Sequence, residues 1–201
     1  ALGVLFAYLE EHYTPDEYLV NLYSDHGVSI FDEIPHIVSA ALTHTAWMMR
    51  GAGVPEGITA DEMTSTVDIY PTLGHLCGFP VNDDIDGRLP AVFGGTARDA
   101  SYSMSMFPGQ TYKLAVRNHE HVLRLETREV LDEDGTVDFT DARVGIYPRG
   151  HELETGCDVH REDLNAFFYP RARDFVHEIA NNGEFWPAMR AARPEWFGGQ
   201  P

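Results

Sequence analysis

The sequence predicts an α/β fold followed by a small antiparallel sheet and a closing helix, and three observations predict it. Strand-length apolar runs alternate with helically spaced segments over the first 95 residues. Polar, ligand-type side chains stand at the end of the first of those runs, where open α/β sheets build their sites. Beyond a loop-rich stretch, four strand-length runs then follow one another with turn residues between them. Two regions result, residues 1–95 as the α/β part and 96–201 as an antiparallel subdomain with its helix and tail.

The elements follow in order. Leu2, Leu5, Phe6 and Leu9 fall at helical spacing, and Thr14-Pro15-Asp16 ends that pattern. Tyr18 to Tyr23 reads as a buried strand running into Ser24-Asp25-His26-Gly27. Residues 36–42 suit a short helix, and Ala46-Trp47-Met48-Met49 a second buried strand before the Gly51-Ala52-Gly53 loop. Thr66 to Leu76 carries Val67, Ile69, Tyr70, Leu73 and Leu76, with Asp68 near its start and Gly78 just past its end, as a capped amphipathic helix requires. Asn82 to Gly95 is loop-like. Strands are expected at 102–106, 112–116, 121–125 and 143–147, parted by Pro108-Gly109, Asn118 and Asp134-Gly135. Leu164 to Ile179 reads as a terminal helix that Pro170 kinks or delays.

Composition narrows the function classes. A chain of 201 residues with 43% hydrophobic residues can bury a full core, and no segment approaches the roughly 20 apolar residues that span a bilayer. Its 32 carboxylates against 14 Lys plus Arg set a formal net charge of −18, which repels phosphate backbones and acidic lipid and argues against nucleic acid or membrane as partner. Cys77 and Cys157 stand far apart without a metal-ligand spacing, so a reduced pair is expected. The opening Ala1-Leu2-Gly3 has no initiator Met and no signal-peptide pattern, so the chain is expected to continue a longer polypeptide.

Five ordered blocks then carry a resemblance: Tyr23-Ser24-Asp25-His26-Gly27, Met48-Met49-Arg50-Gly51-Ala52-Gly53-Val54, Ser65-Thr66-Val67-Asp68-Ile69-Tyr70-Pro71-Thr72-Leu73, Cys77-Gly78-Phe79-Pro80 and Asp86-Gly87-Arg88. In order and spacing they resemble the C-terminal part of sulfatases of the alkaline phosphatase superfamily. The resemblance implies an alkaline-phosphatase-like sheet flanked by helices, followed by the family's smaller C-terminal subdomain. It also implies that the formylglycine-forming Cys/Ser motif and further Asp ligands lie upstream of this chain. Cys157 and Arg161 stand at that motif's separation, but Val159 breaks it and the segment follows Asp25-His26 instead of preceding it.

By this resemblance Asp25 and His26 supply two ligands to a divalent cation, and the remaining carboxylates come from the N-terminal remainder of the domain. At a strand end that turns at Gly27, both side chains can converge on one ion. An imidazole beside carboxylates tolerates Mn²⁺, Zn²⁺ or Fe as well as Ca²⁺ or Mg²⁺, so the donors leave the metal open, with Ca²⁺ or Mn²⁺ expected first and Mg²⁺ or Zn²⁺ next. The family carries a Lys about ten residues further on. Here His36 stands nearest to that position, and His44 aligns with the Arg of the family's Arg-Val-Pro segment; both are assigned to catalysis, against developing negative charge. The bland alternative for each is a surface or capping histidine.

Arg50 is expected to pair with a carboxylate or helix end and Asp68 to cap its helix, both structural roles. His119 and His121 stand two apart on an expected strand, a metal-capable spacing better read as a solvated face. The leading function is hydrolysis of a sulfate ester by a longer parent, by formylglycine hydrate attack as the resemblance implies, with this chain inactive alone. A phosphodiesterase, phosphonate monoester hydrolase or phosphoglycerol transferase of the same superfamily is the nearest alternative. A non-catalytic assembly module is the alternative from another class. Half of a parallel sheet exposes apolar surface, so either self-association as a homo-oligomer or the presence of the rest of the domain is expected.

Overall fold

The computed structural model describes residues 2–28, 38–107, 109–131, 137–152, 156–159 and 161–180. They form two compact units, one of residues 2–28 and 41–101, the other of residues 38–40 and 102–180.

The first unit opens with α1 (Leu2–His12), as its helical spacing predicts, yet none of its residues is buried. Leu2, Val4, Leu5 and Tyr8 all face solvent. Strand β1 (Leu19–Tyr23), the short helix α2 (Ala40–Thr43) and strand β2 (Trp47–Gly51) follow. The two strands pair antiparallel, Leu19 opposite Gly51 and Tyr23 opposite Trp47, which corrects the parallel arrangement expected from the sequence. A parallel pair needs a crossover of a dozen or more residues, usually helical. Here the chain returns alongside itself: Gly27 N–H donates to the Leu42 carbonyl at 2.7 Å and Ser24 N–H to that of Ala46 at 3.1 Å, zipping the ribbon beyond its last strand residue. Both strands are half-buried, with Tyr23 and Met48 exposed. Arg50 donates to Glu10 at 2.7 Å with its guanidinium 5.1 Å from the Phe6 ring centre, the carboxylate pairing its sequence context predicts.

A 3₁₀ turn at Thr66–Asp68 leads into α3 (Ile69–Cys77), which Gly78 ends in the left-handed conformation at φ 73°, its N–H returned to the Gly74 carbonyl. The buried face is not the apolar stripe. Val67 and Tyr70 are exposed, whereas Asp68, Pro71, Thr72 and Gly74 are buried. Asp68 makes no side-chain cap to α3 itself, but at the start of the helical segment that opens at Thr66 it closes a capping box onto Ser65, the capping role expected of it. Its carboxylate accepts from Ser65 N–H and Arg88 N–H, each at 2.9 Å, and also from the Arg98 guanidinium. One buried carboxylate thereby ties three separate stretches of loop to the helix start.

The second unit is a four-stranded sheet in the order β3 (Ser101–Ser105), β4 (Thr111–Arg117), β5 (His121–Val130), β6 (Arg143–Pro148), with α4 (Glu162–Ala180) packed on β4. The β4–β5 and β5–β6 pairs are antiparallel. Register places Leu114, Val116, Leu123 and Ile146 on one face, and these four are fully buried. Leu164, Phe168 and Ala172, spaced four apart on α4, are buried as well. On the opposite face Val38, Ala115 and Val122 cluster, with Tyr147 against them. Helix α4 runs through Pro170, and Arg171 Nη1 donates to the Phe167 carbonyl at 2.8 Å in the turn where the proline has removed a backbone donor.

Candidate metal centre

The end of β1 presents the predicted pair. After Tyr23 the chain leaves the ladder, and the Ser24 hydroxyl accepts from Ala46 N–H at 3.1 Å, holding the returning segment beside it. Gly27 sits so close to α2 that a Cβ there would lie 2.0 Å from the Ala41 carbonyl oxygen. Only glycine permits that approach, and it fixes where Asp25 and His26 stand.

Their mutual geometry has chemical content. Asp25 Oδ1 accepts the backbone N–H of His26 at 2.9 Å. His26 Nδ1 lies 2.6 Å from the Gly27 carbonyl oxygen, which can only accept, so Nδ1 carries a proton. In the neutral imidazole Nε2 is then the nitrogen with a free lone pair, and it stands 3.7 Å from Asp25 Oδ2. A ligating histidine ordinarily donates its other N–H to a carbonyl or carboxylate in this way. Two donors 3.7 Å apart are compatible with sharing one ion at about 2.0–2.4 Å from each. The donor set therefore fits a divalent cation in part. The side chains are 85% and 67% exposed, open to further ligands, and two donors do not complete a shell. Among the described residues no group of three or more His, Cys, Asp or Glu side chains is placed to hold a metal.

The other predicted residues divide. The carbonyl oxygen of His44 lies 3.3 Å from where a Gly27 Cβ would be, so the backbone of His44 adjoins the turn while its residue is exposed. His36 lies outside the described residues. His119 and His121 do not share a strand face, because Asn118, His119 and Glu120 form the β4–β5 turn. The Asn118 side chain accepts from the N–H groups of Glu120 and His121 at 3.0 and 2.7 Å. Cys157 belongs to the second unit, where Val159 N–H donates to the Ile146 carbonyl at 2.6 Å, and neither cysteine is in a disulfide. Sequence reasoning missed Ser24 as the clamp on Ala46 and Arg98 as the partner of Asp68. A hydroxyl just past a strand is a signal for the first; nothing local marks the second.

The architecture can be placed against known proteins. A solved Bacteroides thetaiotaomicron protein, BT33494S-sulf, described in the metabolism of multiple glycosaminoglycans, superposes with a TM-score of 0.65 over 95% of this chain. The fold is sulfatase-like. Sequence identity over that match is 15%, and the chain spans 43% of the length of BT33494S-sulf. No family model and no curated protein matches the chain.

Proposed function

We propose that the chain is the C-terminal fragment of a metal-dependent sulfuric ester hydrolase. Asp25 and His26 contribute two ligands to its divalent cation, Ca²⁺ or Mn²⁺ first and Mg²⁺ or Zn²⁺ next. The observation that carries the reading is the His26 ring: Nδ1–H committed to the Gly27 carbonyl and Nε2 facing the Asp25 carboxylate, at the strand end of a sulfatase-like fold. A cation held there supplies Lewis acidity to an ester oxygen and lowers the pKa of the attacking nucleophile. This chain's part is to fix two donors in place without strain, through Gly27 and the Ser24–Ala46 clamp. His44 and His36 are assigned to the negative charge that develops on the ester oxygens. The nucleophile and the other carboxylates come from the N-terminal remainder of the domain.

BT33494S-sulf is described in glycosaminoglycan metabolism, so sulfated glycosaminoglycans are the first substrate class to assay. A second reading, an assembly module, is favoured by one observation: the apolar side chains of α1 are uncovered, as on a surface that further polypeptide covers. The two readings are separated by expressing the chain with and without its upstream half. Turnover of a sulfate ester by the joined protein, lost with Asp25→Ala and absent from the chain alone, supports the hydrolase. Preference for a phosphodiester or phosphonate ester would move the assignment within the superfamily. Robust turnover by the chain alone, or metal binding indifferent to Asp25 and His26, would overturn it.

A further inference from the structure

The second unit concentrates buried positive charge that neither the candidate metal centre nor the core accounts for. Arg117 ends β4 and Arg124 lies in β5; the register setting Arg117 opposite Val122 and Ala115 opposite Arg124 puts both on one sheet face. As diagonal neighbours the two residues stand roughly 7–8 Å apart, with their Cβ atoms somewhat closer. Arg117 is 8% exposed; its Nη2 donates to the Val38 carbonyl, while Nε and Nη1 are buried with no acceptor. Arg124 Nη1 donates to the Glu152 carbonyl at 2.5 Å and its guanidinium lies 6.0 Å from the Tyr147 ring centre, while its Nε is buried with no acceptor. Glu152 is 6% exposed; Oε2 accepts from Gly150 N–H at 3.1 Å, and Oε1 is buried with no donor. Burial lowers the Arg117 pKa to about 10, opposed by Glu152 and reinforced by Arg124 and Arg149, so the group is still charged at neutral pH.

Arg117 thus feels one carboxylate, Glu152, and two further guanidinium groups, Arg124 and Arg149, in a protein whose net charge is −18. Unused donors cost free energy when buried, and so does the unused acceptor on Glu152. A group that satisfies both must accept from the arginines and donate to the carboxylate. Sulfate carries no proton at neutral pH and would set its oxygens against Oε1; hydrogenphosphate has oxygens for the arginines and an O–H for the carboxylate. Guanidinium groups are well matched to such oxyanions. Arg117, the last residue of β4, leads into the 118–120 turn, and Glu152 lies in the 149–152 segment, which Arg149 N–H joins to the turn through the Glu120 carbonyl at 2.8 Å. Residues 119, 120 and 149–151, in the loops that adjoin the cluster along the chain, are exposed.

The geometry points to a binding site for a protonated oxyanion of the hydrogenphosphate class, held by Arg117 and Arg124 and selected over sulfate by Glu152. It rests on the second unit alone and stands whether or not Asp25 and His26 bind a metal. The test is calorimetric titration and thermal denaturation of the intact protein with inorganic phosphate, against sulfate and sodium chloride at matched ionic strength. Saturable phosphate binding that raises the melting temperature is expected, at least tenfold tighter than sulfate. Glu152→Gln should bring the two ions within about threefold, Arg117→Met should abolish binding, and Asp25→Ala should leave it intact. Should Arg117→Met fail to fold, the Nε–H resonance of Arg117 in the unaltered protein must still shift as phosphate is added. Equal responses to all three salts, a resonance that does not move, or binding lost with Asp25→Ala and kept with Arg117→Met would overturn the site.

Discussion

The Asp68 carboxylate receives the Arg98 guanidinium side-on, through Nε at 2.7 Å and through Nη2, across thirty residues of chain. Both side chains are buried, at 1% and 8% exposure, and Nη2 also donates to the Asp86 carbonyl at 2.8 Å. Breaking such a pair strands a charge in the interior. Asp68→Ala should therefore cost about 3–5 kcal/mol in urea denaturation, and Arg98→Ala a similar amount. Replacing both with apolar residues should recover only part of this, because Ser65 N–H and Arg88 N–H would still lack their acceptor. A loss below about 1 kcal/mol for either single variant would show that the network is not holding the loop.

Asp25 and His26 predict the opposite behaviour. Both are more than half exposed, so Asp25→Ala and His26→Ala should change stability by no more than about 0.5 kcal/mol. Manganese binding, followed by the loss of the free-ion spectrum in electron paramagnetic resonance, should weaken by tenfold or more in each. His26→Gln is a sharper probe, since an amide keeps hydrogen-bonding capacity but not the imidazole lone pair. Unchanged affinity in all three would exclude the pair as ligands.

Gly27→Ala tests the turn and not the ligands. A methyl group placed 2.0 Å from the Ala41 carbonyl oxygen must push the turn off α2, breaking the Gly27 N–H bond to Leu42. We expect a loss of about 1–3 kcal/mol from this overpacking. Metal affinity should fall with it although both ligands remain. Normal affinity in a destabilised protein would separate the turn from the site.

What the sequence disclosed followed the reach of its signals. Period and turn residues are local, so α1, β1, β2 and the four strands of the second unit were legible, and so was Asp25-His26-Gly27 at a strand end. Strand direction was not. Nothing local distinguishes a helical crossover from a chain that folds back, and the bonds that decide it, from Ser24 to Ala46 and Gly27 to Leu42, join residues far apart. The full length of β5 was hidden for another reason: Arg124, Glu126, Arg128 and Glu129 interrupt its apolar run, yet its ladder continues to Val130 opposite Thr111. Val67 and Tyr70 misled because an apolar stripe says which face prefers burial, whereas the Asp68 network decides which face is covered.

Tyr112 provides a test by pH. Its ring is fully buried and meets Phe139 edge-on at 5.5 Å, while its hydroxyl has no hydrogen-bond partner. Burial disfavours the phenolate and pushes the pKa from 10.0 to about 12. A folded pKa raised above the unfolded one means a contribution to stability that is complete below pH 10 and lost as pH climbs toward 12, at roughly 1.4 kcal/mol per pH unit. Arg117, whose folded pKa is lowered, contributes with the opposite sign in much the same range, so total stability alone does not isolate either group. Comparison with Tyr112→Phe does, because the arginine contribution is common to both proteins. At pH 7 the variant should equal the parent or exceed it by about 1 kcal/mol, since a buried hydroxyl without a partner is removed. Above pH 10 the gap between their urea midpoints should widen steadily in favour of phenylalanine. Midpoints that fall in parallel would mean that Tyr112 ionises freely in the folded protein and that the core at β4 opens to water.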